Sequence, residues 1–214
     1  MTRESLVIRA AAFMLVAVAM VGCRNGPPPI SRTVTVLSSW PALTVPADIQ
    51  RLAVFYPRSP NRDYSEAYHR LEAAVFQLKA SRATLTVVDR FNVATVRTEL
   101  RFQHGGAVME DSAMRIGHLL GADSVLLYAI EGPTLRDRVT ARRLSQVRPI
   151  TITTKIIRVE SGEVVYLNVV MARIQDPGYG DRWWFDNLDY AQLSQEALER
   201  SITQTVVDLQ QAFQ

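Results

Sequence analysis

The chain opens on an apolar run with a basic start. Arg3 and Arg9 precede an uncharged stretch from Ala10 to Val21, and Gly22-Cys23 closes it. A charged start, a short apolar stretch and a small residue at its end predict an export signal cut before Cys23. A membrane span needs about 20 apolar residues, so a retained anchor fits poorly. Next, Pro27-Pro28-Pro29 favours an extended polyproline arm. Thr33 to Leu37 alternates as a short strand does, and Trp40-Pro41 and Val45-Pro46 then break regularity. These marks assign residues 1–22 to a signal peptide, 23–49 to a Pro-containing linker arm and 50–214 to a folded domain.

Within that domain the apolar period changes from element to element. Leu52 to Tyr56 is a continuous apolar run ended by Pro57, as expected of a buried strand. Asp63-Tyr64-Ser65-Glu66 has the form of a capping box, so a helix follows. Tyr68, Leu71, Val75 and Leu78 recur at helical spacing and form its buried face. Leu85 to Val88 predicts a short strand, and Asn92 to Phe102 a second helix stopped at His104-Gly105-Gly106. A third helix starts at Asp111 or Ser112, turns Ala113, Ile116 and Leu120 inward, and ends on Gly121 as a left-handed cap. Val125 to Ile130 is a third domain strand. Ile150–Val159 and Val164–Ala172 make a hairpin around Glu160-Ser161-Gly162-Glu163, with Gly162 supplying the positive φ of its turn. The last helix begins near Asp189 or Ser194 and buries Leu198, Ile202, Val206, Leu209 and Phe213. The order predicts an α/β domain: a single mixed sheet flanked by helices.

Charge and cysteine usage narrow the function. Cutting before Cys23 removes Arg3, Arg9 and Glu4, which leaves a net charge of +2. This near-neutral balance carries no footprint for nucleic acid. Cys23 is the only cysteine. It stands where lipoprotein processing needs its acceptor, so Cys23 is the predicted lipidation site and the membrane is reached through that lipid. Arg24 rather than Asp follows it, which by the Gram-negative sorting pattern favours the outer membrane, periplasmic face. With Cys23 acylated, no thiol remains for a disulfide, a nucleophile or a zinc site. His69, His104 and His118 lack metal-ligand spacing. No nucleophile elbow, P-loop or dinucleotide fingerprint occurs. The expectation is a non-enzyme with no cofactor and no metal.

Two long loops, Gly132–Pro149 and Gln175–Leu188, hold the unabsorbed chemistry. The first carries Arg136, Arg138, Arg142, Arg143 and Arg148, suited to acidic headgroups or an acidic partner, or simply to water. The second carries Trp183-Trp184-Phe185 after Tyr179. Neighbouring side chains of an extended segment point to opposite sides, so three adjacent aromatics cannot all face one core. Either one of them meets a partner surface or lipid headgroups, or one tryptophan anchors the loop while another is partly exposed; the candidate partner-binding residues of the two loops are Trp183, Trp184, Phe185, Arg136, Arg138, Arg142 and Arg143.

Several blocks resemble the curli assembly and transport lipoprotein family, the CsgG-like proteins. They are Leu52-Ala-Val-Phe, Val87-Val88-Asp89-Arg90 and Glu99-Leu100-Arg101 leading to Gly106. The most specific runs from Ile116-Gly117-His118 through Gly121-Ala122-Asp123 to Leu126, and the last is Ile157-Arg158-Val159-Glu160-Ser161-Gly162-Glu163-Val164-Val165. The resemblance covers about residues 50 to 174. It implies a sheet-and-helix sandwich shared with peptidoglycan-synthase activator lipoproteins and with the amino-terminal domain of TolB. Gly117 would let a helix lie close to the sheet. The implied role is a protein-binding module in the cell envelope, with other envelope proteins or further copies of itself as partners. A curli-type secretion channel would need both long loops to cross the membrane as hairpins. Arg142-Arg143 and Asp176, Pro177 and Asp181 break the alternation such strands need. A synthase activator is the other alternative, though the arm here is short.

Overall fold

Among the described residues, six strands and three helices are built from these patterns. The computed structural model describes residues 33–38, 44–56, 62–88, 109–133, 147–175 and 187–214. In chain order they are β1 (Thr33–Ser38), β2 (Arg51–Phe55), α1 (Arg62–Ser81), β3 (Thr86–Val88) and α2 (Met109–Leu119), then β4 (Ser124–Glu131), β5 (Ile150–Arg158), β6 (Val164–Gln175) and α3 (Asn187–Ala212). The helix expected over 92–102 lies outside the described residues.

One sheet runs in the order β1-β6-β5-β4-β2-β3. It is mixed, as the sequence predicts. β2 pairs in parallel with β3 and with β4, while β4-β5, β5-β6 and β6-β1 are antiparallel. The parallel part follows from the β2-α1-β3 crossover, and the antiparallel part from the hairpin at Gly162.

Side chains alternate across the sheet and create two cores. Leu52, Val54, Leu126, Tyr128, Ile152 and Ile156 point to one face and pack with Leu71, Leu78, Leu198 and Leu209 of α1 and α3. Ala53, Phe55, Val125 and Leu127 point to the other and pack with Ala113 and Ile116 of α2. β2 and β4 are covered on both faces, which is why their sequences read as unbroken apolar runs. β5 alternates buried and half-buried residues, as a strand covered mainly on one face does.

Two glycines settle the boundaries. Gly121 has φ +62° and Gly162 φ +70°. Around Gly121 the last turn of α2 closes with Ala122 N donating to Gly117 O at 2.9 Å and Gly121 N to His118 O at 3.0 Å. That pair of bonds is a Schellman motif and satisfies carbonyls the helix end leaves open. Gly117 has a different task. A Cβ there would lie 2.6 Å from Val125 Cγ1 and 2.9 Å from Val159 Cγ2, so α2 sits this close to β4 only without a side chain.

The structure corrects four boundaries. α1 starts at Arg62, so Asp63 stands inside its first turn and is not its cap. Residues 23–49 are not all linker. β1 makes six register pairs with β6, and Val34, Val45 and Ile49 are buried. Val45 N also donates to Ala212 O at 2.7 Å. The compact unit therefore spans Arg32–Gln214. α2 starts at Met109, so Asp111 stands inside its first turn, where an acid complements the helix dipole. α3 starts at Asn187, ahead of both positions expected for it.

Candidate functional site

Asp123 shows how the sheet is anchored at its lower end. Its Oδ2 accepts from the backbone N–H groups of Gln50 and Arg51, each at 2.8 Å, and so fixes the start of β2 against the start of β4. Asp48 completes this end by accepting from Arg158 Nη1 at 2.6 Å. The bonded guanidinium holds the Asp48 carboxyl below its ordinary range. The hairpin turn and the carboxy-terminal residues lie here as well. These groups brace the starts of β2 and β4 and the end of β5 against one another.

The opposite, upper end is where the unassigned segments are rooted. β4 ends there at Glu131, opposite Thr151 of β5, and Ile150 pairs with Ala172 near the end of β6. Thr33, the first residue of β1, pairs with Gln175, the last of β6. Thus Pro133 and Val147, which flank the arginine-rich segment, and Gln175, which precedes the aromatic one, share one end of the sheet with the point where the amino-terminal segment comes in.

A groove opens at that end between the first turns of α1 and the first half of α3. Its cavity volume is about 250 Å³. Asp63, Tyr64, Glu66 and Arg70 line one wall, Ser194, Gln195 and Glu199 the other, and Pro133 and Ile150 the floor. Arg70 and Glu199 bridge it at 2.5 Å, with both side chains about half exposed. Such a pair is worth about 0–1 kcal/mol, so it yields easily to a competing ligand. Gly132 is pressed against Tyr64: a Cβ there would run into the Tyr64 hydroxyl. A small adjoining recess is lined by Val147, Arg148, Pro149, Tyr190 and Ser194.

Below the groove α3 is fixed to the sheet by polar groups. Asp208 accepts from Ser38 Oγ at 3.0 Å, Asn168 Nδ2 at 2.7 Å and Gln204 Nε2 at 2.7 Å. Arg200 donates to Val34 O at 3.0 Å, capping a carbonyl of the sheet-edge strand. Burial pushes the hydroxyl of Tyr166 up to about 12, helped by the Asp208 charge and opposed by its hydrogen bond with Asn168. Burial also pushes the Tyr128 hydroxyl up. Both stay neutral at physiological pH. Periodicity alone gave no sign of this network, because Ser38, Asn168 and Asp208 come from three distant parts of the chain.

Of the residues singled out from sequence, Cys23, Arg136, Arg138, Arg142, Arg143, Trp183, Trp184 and Phe185 lie outside the described residues. Arg148 is exposed at the upper end. His69 is 60% exposed, 3.8 Å from Glu72, and edge-on to Tyr56. His118 is exposed in the last turn of α2, and His104 lies outside the described residues. Among the described residues no group of three His, Cys, Asp or Glu is placed to hold a metal ion, and no helix is long and apolar enough to cross a membrane.

No family model and no curated protein matches the chain. The CsgG-like resemblance accordingly rests on the residue blocks that suggested it. Several solved structures are similar. The LpoB C-terminal domain from Salmonella enterica is 19% identical, with 59% of this chain and 82% of that chain covered and a TM-score of 0.38. A PelC dodecamer from Paraburkholderia phytofirmans is 18% identical over 78% of this chain and 91% of that one, at 0.35. Lipoprotein GNA1162 from Neisseria meningitidis is 14% identical over 69% and 96%, at 0.34.

Proposed function

We propose that this chain is a lipid-anchored envelope protein on the periplasmic face of the outer membrane, acting as a protein-binding module of the CsgG-like kind. The observation that carries the reading is Cys23: the only cysteine, at the end of an export signal, ten residues ahead of a strand that belongs to the folded domain. Binding is the reading for the remaining chemistry. The arginine-rich and aromatic segments leave the sheet at one end, beside a groove bridged by one exposed ion pair. Clustered aromatics supply contact area at low entropic cost, and arginines add charge complementarity. The partner is another envelope protein or a second copy of the chain. No cofactor, metal or nucleic acid enters this reading.

The test replaces Trp183, Trp184 and Phe185 together with Ser in the lipidated protein. Crosslinking in intact cells should lose a specific partner adduct, while circular dichroism stays as in the parent. Ring-shaped oligomers that conduct ions across planar bilayers, and stop doing so in the triple variant, would replace this reading with the secretion channel.

A further inference from the structure

The end of the sheet that meets the membrane is decided by chain length. On the lipoprotein reading above, on which this inference rests, Cys23 is held at the bilayer surface. Ten residue steps separate it from Thr33. At about 3.3–3.6 Å each they reach roughly 33–36 Å when fully extended. Pro27, Pro28 and Pro29 in polyproline form advance only about 3.1 Å each, so the arm is no longer than that.

Thr33 sits at the upper end of the sheet, opposite Gln175. From there β6 runs eleven steps to Val164. At about 3.4 Å per step that is roughly 37 Å, and the turn around Gly162 extends past Val164. For the hairpin end to touch the bilayer, the arm would have to span the whole length of β6 and more. It is too short.

We infer that the upper end of the sheet, carrying Thr33, Pro133, Val147 and the first turns of α3, rests against phospholipid headgroups, with the hairpin at Glu160–Glu163 pointing away. The described charges at this end are mixed: Arg62, Arg70, Arg148 and Arg173 with Asp63, Glu66 and Glu131, all exposed. Net charge therefore does not orient the domain, whereas the tether rules out hairpin-first contact. Arginine and tryptophan, the residue types that sequence gives to the two segments rooted at this end, are those that settle at headgroup level. A partner met by those segments is then met at the membrane surface, within reach of proteins embedded in or lying on it, and not deep in the wall.

The mature lipidated protein offers a clean test, because acylated Cys23 leaves no competing thiol. Gln192→Cys places a label in an exposed turn near the start of α3, and Glu160→Cys places one in the exposed hairpin turn. Each labelled protein is reconstituted into phosphatidylethanolamine–phosphatidylglycerol vesicles containing a headgroup-nitroxide lipid. Quenching should be several-fold stronger at position 192 than at 160. Equal quenching, as for a domain lying on its flank, or stronger quenching at 160 overturns the orientation. The acyl mass on the Cys23 peptide is measured in the same preparation. Its absence overturns the lipoprotein reading together with the orientation; its presence with equal or reversed quenching overturns the orientation alone.

Discussion

Gly121 offers the most direct test of the fold, because its two possible costs separate. Its φ is +62°, a conformation L-residues adopt at about 1–2 kcal/mol. Space is not limiting: a Cβ there would meet only Arg51 Nη2, at 3.8 Å. An alanine also stiffens the unfolded chain, which returns about 0.4–1 kcal/mol. Gly121→Ala should therefore cost roughly 0–1.6 kcal/mol. Gly121→Val adds β-branched crowding and should cost up to about 3 kcal/mol. Gly121→Asn should fall nearest the parent, since Asn tolerates this region through local hydrogen bonding. For a compact unit of the size of Arg32–Gln214, each kcal/mol moves Tm by about 2–4 °C. The valine variant should thus melt up to about 12 °C below the parent, with Ala intermediate and Asn highest of the three. Thermal melts and urea midpoints on the mature chain read this order. Three variants melting together with the parent would mean that residue 121 has ordinary helical dihedrals and that the Schellman closure of α2 is wrong.

Other outcomes follow from the same contacts. Gly117→Ala gains about 1 kcal/mol of helix propensity but forces overpacking of about 1–3 kcal/mol against Val125 and Val159, so it should destabilise; a more stable variant would show that α2 does not lie against β4. Tyr166 ionises near 10 when unfolded but only near 12 when folded, so stability should fall as pH rises from about 10 to 12. Tyr166→Phe should make that fall shallower in urea midpoints, and an unchanged slope would place the hydroxyl in water. Cys23→Ser should abolish incorporation of a labelled fatty acid and release the chain from membranes, and undiminished labelling would remove the lipid anchor from the account.

What the sequence determined by itself was local. The face of α1 that is buried, the stripe of α3, the turn at Gly162 and the cap at Gly121 were all legible, because residue spacing and positive φ leave their mark within a few positions. The predicted mixed sheet was legible from the order of periods. The close approach at Gly117 was expected from a family resemblance, and the Cβ distances there agree with it. Tertiary structure alone decided which strand neighbours which. Thr33–Ser38 reads as a short strand in an arm, and only its pairing with β6 brings it into the domain, since a strand's partner is not written in its own residues. Likewise Ser38, Asn168 and Asp208 meet only because β1, β6 and α3 do. The shared root of the two long segments at one end of the sheet has the same origin. Each loop is visible in sequence as a break in periodicity, but which end it leaves from depends on the direction in which each strand runs through the sheet.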